Sequence, residues 1–301
     1  MSQPSPPAFR CGTVAIMGAP NAGKSTLLNR LLGMKIAITS KRPQTTRTRI
    51  LGVVHRTGAQ IILLDTPGIH QAKGPLNTRI VAAALAAIED VDLLLWLVDA
   101  ERPDPAAEAF LLERLTAAKT PVLLAINKID RVAKTQILPL IDAWHQRYPF
   151  AAIVPVSARH GHQIENLERE MIQHLPEGPP LFPEDEVTDQ PERVIVTEMI
   201  REKVFRLTGA EIPYSTAVTV EQFKTRPDRP LVDIHATIHL ERDSQKAIVI
   251  GKGGAKLRQI GEAARMDIEQ LLGAKVFLKL FVRVQKNWTR DAKSMQRFGY
   301  P

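Results

Sequence analysis

Two glycines five residues apart, a lysine and a serine mark the run Gly18-Ala19-Pro20-Asn21-Ala22-Gly23-Lys24-Ser25-Thr26. It fits G-x-x-x-x-G-K-[ST] at every fixed position. Glycines let successive backbone N–H groups point at one anion, and the start of a following helix adds favourable dipole. Lys24 is placed to reach the β and γ phosphates of a nucleotide, and Ser25 to ligate Mg2+. The apolar run at 14–17 and Leu27-Leu28 provide the strand before and the helix after that the motif requires.

Three further stretches extend this chemistry. In Leu63-Leu64-Asp65-Thr66-Pro67-Gly68, an aspartate closes an apolar run and is placed to hold Mg2+ through water. Gly68 can offer its N–H to a γ-phosphate because no side chain blocks the approach. Alone this would be a turn after a strand; beside a phosphate loop it is a γ-phosphate sensor. Ile126-Asn127-Lys128-Ile129-Asp130 chooses the base. The Asp130 carboxylate can accept from guanine N1–H and N2–H, whereas adenine presents an acceptor at N1 and is rejected. Asn127 can brace the loop and meet the purine, and the Lys128 stem can cover the ring. Val156-Ser157-Ala158 would offer backbone N–H to guanine O6. The nucleotide expected is GTP, with GDP as its product. Between these motifs, Gln44-Thr45-Thr46-Arg47 lies in a polar stretch without periodicity. A threonine there can complete Mg2+ coordination only when γ-phosphate is present, which makes a switch. Thr46 is favoured over Thr45.

The nucleotide contacts expected are therefore Gly18 through Thr26, Asp65, Thr66, Pro67, Gly68, Ile69, Asn127, Lys128, Ile129, Asp130, Ser157 and Ala158. Ser25, Thr46 and Asp65 are the expected metal ligands.

The elements that must position these residues alternate. Strand-like runs at 13–17, 50–54, 60–64, 93–98, 122–126 and 153–155 are separated by helical stretches at 25–32, 78–89, 106–118, 136–148 and 166–174. Such alternation predicts a mostly parallel sheet with helices on both faces, an α/β domain over residues 1–176. Residues 175–191, LPEGPPLFPEDEVTDQP, carry five prolines and five acidic residues, so 177–193 reads as a linker. From 194 to 301 the order changes: a helix at 194–208, strands at 215–223 and 232–240, a strand-like run at 246–250, a helix to 272 and a strand at 276–284. Segregated helices and strands predict an α+β domain.

This second domain carries the charge. The chain has 40 Lys and Arg against 32 Asp and Glu, a net of +8. From 251 to 301, eleven Lys and Arg stand against four acidic residues, so seven of those charges lie in the last sixth of the chain. A basic section on a near-neutral body suggests a polyanion, nucleic acid first and acidic lipid second. The tetrad in Ile250-Gly251-Lys252-Gly253-Gly254-Ala255 has the G-x-x-G form that clamps about four nucleotides in KH domains. It also makes an ordinary turn; Lys256, Arg258 and Arg265 around it favour RNA.

Composition removes other classes. Apolar residues make up 44%, ordinary for a globular chain. The single cysteine, Cys11, excludes intrachain disulfides and polycysteine zinc sites, and reads as a small buried residue opening a strand. The opening MSQPSPPAFR lacks a basic stretch leading into an apolar one, so no secretory signal is expected. No apolar run approaches the ~20 residues of a membrane span. A cytoplasmic location is expected, with peripheral contact to the inner membrane left open.

Taken together, GAPNAGKSTLLN, QTTRTRILG, LLDTPGIH, AINKID, VSA, REKVFRLTGAEIPYS and IGKGGAKLRQIG cover almost the whole chain and resemble the Era family of bacterial GTPases, in the larger group related to the tRNA-modification GTPase MnmE. The resemblance implies a phosphate-loop GTPase domain followed by a type II KH fold. It also implies GTP hydrolysis, binding to the 3′ region of small-subunit ribosomal RNA, and assistance to assembly of pre-30S particles, with no stable oligomer required. One position departs from Ras-like proteins, where a glutamine after the DxxG glycine orients the attacking water. Here it is Ile69, so intrinsic hydrolysis is expected to be slow. Similarity to the MnmE group suggests that Asn21 helps bind K+ beside the phosphates; shaping the loop is the alternative. Hydrolysis would then rest on Lys24, Thr46, Gly68 and Asn21. Rival readings are an RNA-binding assembly chaperone with GTP as a structural ligand, and a membrane-associated signalling GTPase.

Overall fold

The computed structural model describes residues 8–39, 49–68, 90–115, 119–209, 212 and 216–298. The chain divides into two compact units, the first holding the described residues up to 33 and from 49 to 189, the second holding 34–39 and those from 190 onward.

The first unit is a six-stranded sheet of β1 (Arg10–Gly18), β2 (Ile50–Arg56), β3 (Ala59–Asp65), β4 (Leu93–Asp99), β5 (Val122–Asn127) and β6 (Ala152–Pro155), in the order β2-β3-β1-β4-β5-β6. Its helices are α1 (Lys24–Leu32), α2 (Pro105–Leu115), α3 (Lys134–His145) and α4 (Ile164–His174). Val14 to Met17 and Leu93 to Leu97 are buried on both faces, as a parallel sheet covered by helices requires. Trp96 anchors one face, its ring 5.0 Å from Trp144 of α3 and 5.9 Å from Phe150. On the other face, Gly52 lies against Leu28 and Leu32 of α1, and Gly12 against Leu175 after α4. The predicted helix at 78–89 and residues 116–118 lie outside the described residues.

The sheet is mostly parallel, as expected; among its described strands β2 alone runs antiparallel to its neighbour, β3. Only Thr57 and Gly58 separate them, too few for a crossover, and Gly58 supplies the left-handed turn at φ +75°. Residues 177–189, read as linker, form no regular element yet belong to the first unit. Val53 donates its N–H to Val187 O at 2.9 Å and the Thr188 hydroxyl donates to Leu51 O at 2.6 Å. The buried Gln60 amide accepts from Leu181 N at 2.7 Å and donates to Phe182 O at 2.8 Å. The proline-rich stretch thus covers the sheet edge that β2 would leave open.

The second unit follows the order α5 (Glu192–Leu207), β7 (Ala217–Thr225), β8 (Leu231–Leu240), α6 (Asp243–Ile250), α7 (Ala255–Leu272), β9 (Lys275–Val284) and α8 (Ala292–Arg297). Its sheet is β7-β8-β9, antiparallel between the first pair and parallel between the second. Ile234, Ala236, Ile238 and Leu240 are fully buried and make the core side of β8. The run at 246–250, expected as strand-like, is the end of α6. Gln245 and Val249, one helical turn apart, are its buried residues, so the apolar run follows a helical period. Within this unit Lys35 pairs with Glu202 at 2.9 Å and Asp267 at 2.5 Å, and Arg206 donates to Thr39 O at 2.9 Å.

Candidate guanine-nucleotide and RNA sites

The four nucleotide motifs follow β1, β3, β5 and β6, so all stand at the carboxyl ends of strands. Strand order reverses at β1, the place where ligands of open α/β sheets sit. Residues 18–23 lead into α1 at Lys24, with Gly23 at φ 107°. A Cβ there would fall 2.2 Å from Asn127 Nδ2, so only glycine lets the two loops approach. The Lys24 ammonium donates to Gly18 O and Ala19 O, each at 3.0 Å, and holds over the loop. Its burial lowers its pKa to about 8, against a smaller upward pull from Asp65. A cation kept this dry is poised for phosphate, which would restore its charge.

The Ser25 hydroxyl donates to Asp65 Oδ2 at 2.7 Å, which puts two hard oxygens side by side next to Lys24. That donor set fits Mg2+, which takes one or two protein oxygens and leaves the rest to phosphate and water. Among the described residues no cluster of His, Cys, Asp and Glu offers another metal centre. The Thr66 hydroxyl donates to Ile16 O at 2.8 Å and fixes the turn after β3. A Cβ on Gly68 would lie 2.9 Å from Pro20 Cα, so Gly68 is packed directly on the phosphate loop. Asn21 is exposed at φ 66°, a conformation asparagine tolerates, beside Ala22 and ahead of Thr26 on α1. Thr45, Thr46 and Ile69 lie outside the described residues.

At the base end, buried Asn127 joins two loops. It donates to Ala22 O at 2.8 Å and accepts from Ala158 N at 3.0 Å. The Ser157 hydroxyl donates to Asp130 Oδ1 at 2.6 Å, and His160 Nε2 lies 3.6 Å from Asp130 Oδ2. Burial pushes the Asp130 pKa up. The bonds from Ser157 and its own amide, with the charges of His160 and Arg131, outweigh this and leave it lowered. The acceptor that guanine needs is therefore ionised. Lys128 takes a left-handed φ of 65° ahead of Ile129. It pairs with Asp99, at the end of β4 and in register with Asn127. Asp99 and Arg30, which donates to Ala158 O at 3.1 Å, escaped the sequence reading. An acidic residue closing a strand was a visible signal for the first; no local pattern marks the second.

In the second unit Gly251-Lys252-Gly253-Gly254 turns tightly between α6 and α7, with Gly254 N–H donating to Gly251 O at 3.1 Å. A Cβ on Gly253 or Gly254 would meet nothing, so the loop faces open space. Ile250 ends α6 and Ala255 begins α7. Exposed Lys252 and Arg258 stand at the loop and first turns, with half-buried Lys256 bonded to Gln259. Arg265 lies about 10 Å further along α7, at 1.5 Å per residue.

A phosphate loop at the carboxyl ends of an α/β sheet, followed by an α+β unit with a G-x-x-G loop between two helices, is the arrangement of a GTPase joined to a KH domain. Residues 13–128 match the family described as 50S ribosome-binding GTPase, and residues 211–289 match the KH domain. GTPase Era of Geobacter metallireducens is 54% identical over 97% of this chain and 98% of its own, and that of Geotalea uraniireducens 55% over the same shares. A crystal structure of an Aquifex aeolicus Era variant bound to GDP and AlF4− superposes with a TM-score of 0.93 at 41% identity, covering 97% of this chain and 99% of that one. A structure of Era with MgGDPNP and nucleotides 1506–1542 of 16S ribosomal RNA matches with the same TM-score, identity and coverage. The chain belongs to the GTPase Era family.

Proposed function

We infer that this GTPase is a switch in assembly of the small ribosomal subunit. GTP and its slow hydrolysis would set how the KH domain holds the 3′ region of small-subunit ribosomal RNA on pre-30S particles. The observation that carries the reading is the ionised, hydroxyl-braced Asp130 opposite a phosphate loop, in a chain whose relative was crystallised with a GTP analogue and 16S ribosomal RNA. Lys24 neutralises phosphate charge, and the N–H groups of 18–26 and Gly68 orient the β and γ phosphates. Ser25, Asp65 through water and Thr46 would hold Mg2+, which would supply further neutralisation of the phosphate charge. Asn21 stands on the loop where K+ would supplement it, in place of the glutamine that Ile69 lacks.

The RNA would be held by Gly251 to Gly254 with Ile250, Ala255, Lys256, Arg258 and Arg265. On this reading the protein would work in the cytoplasm. Among the described residues no helix is long and apolar enough to cross a membrane. Crosslinking bound RNA in cells tests this. Recovery of the 3′ end of 16S RNA is expected, and its loss on replacing Lys252 and Gly253 with aspartate. Crosslinks scattered over unrelated RNAs would overturn the reading.

A further inference from the structure

Strand β9 is an edge of its sheet, and its alternate residues point to opposite faces. Val276 is buried, and Leu280 lies in reach of Gly261 on α7, so the even positions face the helices. Lys275, Phe277, Lys279, Phe281 and Arg283 all stand exposed on the opposite face. Phe277 and Phe281 keep 49% and 42% of their surface open to water. The His235 ring on β8 lies 6.3 Å from Phe281, nearly edge-on, and the Lys279 ammonium 5.1 Å from the same ring.

Acidic groups near this face are occupied. Asp233, opposite Phe277, is tied to Arg226 at 2.6 and 2.8 Å. Glu221 accepts from Thr237 at 2.7 Å, and Glu269 lies 3.3 Å from Lys275. Among the described residues no acidic group is ion-paired with Lys279 or Arg283, which leaves both for a partner. Helices α6 and α7, which carry the Gly251–Gly254 loop, are on the far side of the sheet, so this face is not part of that clamp.

Open aromatic rings alternating with cations suit unpaired bases and their phosphates, the rings stacking and the cations tracking the backbone. A neutral apolar partner would cover the rings but leave the cations unanswered. We propose that the open face of the KH sheet is a second single-stranded RNA surface, with Phe277 and Phe281 stacking bases and Lys279 and Arg283 meeting phosphates. It extends the RNA reading above and rests on it. At about 3.3 Å per residue the two rings are about 13 Å apart, a span that one strand of several nucleotides bridges.

The test uses the full chain with two single-stranded RNAs, one of about four nucleotides, enough for the loop clamp, and one several times longer. Replacing both Phe277 and Phe281 with Leu keeps apolar area and strand-forming character but removes the rings; replacing both with Tyr keeps the rings. The Leu pair should weaken the long RNA at least tenfold and leave the short one unchanged, with Tyr restoring binding. Lys279→Ala and Arg283→Ala should each lower the salt slope by about 0.7. Unchanged long-RNA affinity in the Leu pair overturns the proposal. If the Lys252→Asp, Gly253→Asp variant then loses RNA, the clamp reading stands and only the second surface fails; if it also binds normally, the RNA reading fails with it. Vesicles of phosphatidylglycerol released by Phe277→Ser, Phe281→Ser, with RNA affinity unaffected, would assign the face to lipid and likewise overturn it.

Discussion

Lys24 gives a prediction with a sign and a size. In the free protein burial lowers its pKa to about 8 from the ordinary 10.5, so at pH 8.5 about three-quarters of the molecules carry a neutral lysine. Phosphates placed beside it would favour the ammonium and return the pKa toward or above its ordinary value. Nucleotide binding should therefore take up about 0.7 proton at pH 8.5 and about 0.1 at pH 7. Affinity should be level below pH 8 and fall by up to tenfold per unit above it, the whole shift corresponding to about 3 kcal/mol. The sign for folding is opposite. With fewer protons bound in the native state, Lys24 makes the free protein more stable as pH rises from about 8 to 10.5. Titrating MgGDP by calorimetry in two buffers of different ionisation enthalpy measures the uptake directly. Zero uptake at pH 8.5, or equal uptake at both pH values, would refute the dry, phosphate-poised lysine.

Asp130→Asn should lose GTP and gain xanthosine triphosphate, because asparagine presents a donor where guanine donates and xanthine carries an oxygen; competition binding that still prefers GTP removes Asp130 from the base site. Asn127→Ala strands Ala22 O and Ala158 N, and at about 1–3 kcal/mol for each buried group should cost about 2–6 kcal/mol in denaturant unfolding without nucleotide. An unaltered midpoint would mean that the bridge does not hold the loops. His239 has its pKa lowered to about 4 by burial and by the charges of Arg283 and Arg297. It is a base bound to fewer protons when folded, so its contribution is full above pH 6.5 and lost as pH falls toward 4, about 3 kcal/mol in all. The pH 7 to pH 4.5 drop in stability should be smaller in His239→Phe than in the parent.

The phosphate loop, Asp65 turn and guanine loops were legible because each needs particular residue types within a few positions, and strand–helix alternation placed them at the carboxyl ends of one sheet's strands. What escaped was non-local or ambiguous in period. The hold of Gln60 on Leu181 and Phe182 joins positions about 120 apart, so 177–189 read as free chain although it covers an edge. Ala247-Ile248-Val249-Ile250 reads as strand by β-branching, and only burial of Gln245 with Val249 reveals the helix. The hairpin of β2 and β3 was hidden because its two-residue turn was read as part of a longer gap. Phe277 and Phe281 alternate visibly, but which face of a strand is open depends on the helices packed against the other.

If nucleotide state sets RNA binding, the affinity of the full chain for single-stranded RNA from the 16S 3′ end must differ between MgGDP and a non-hydrolysable GTP analogue. A difference of at least about fivefold is predicted, the lower end of ordinary coupling between sites. Equal affinity with both nucleotides would contradict the switch and leave GTP as a structural ligand.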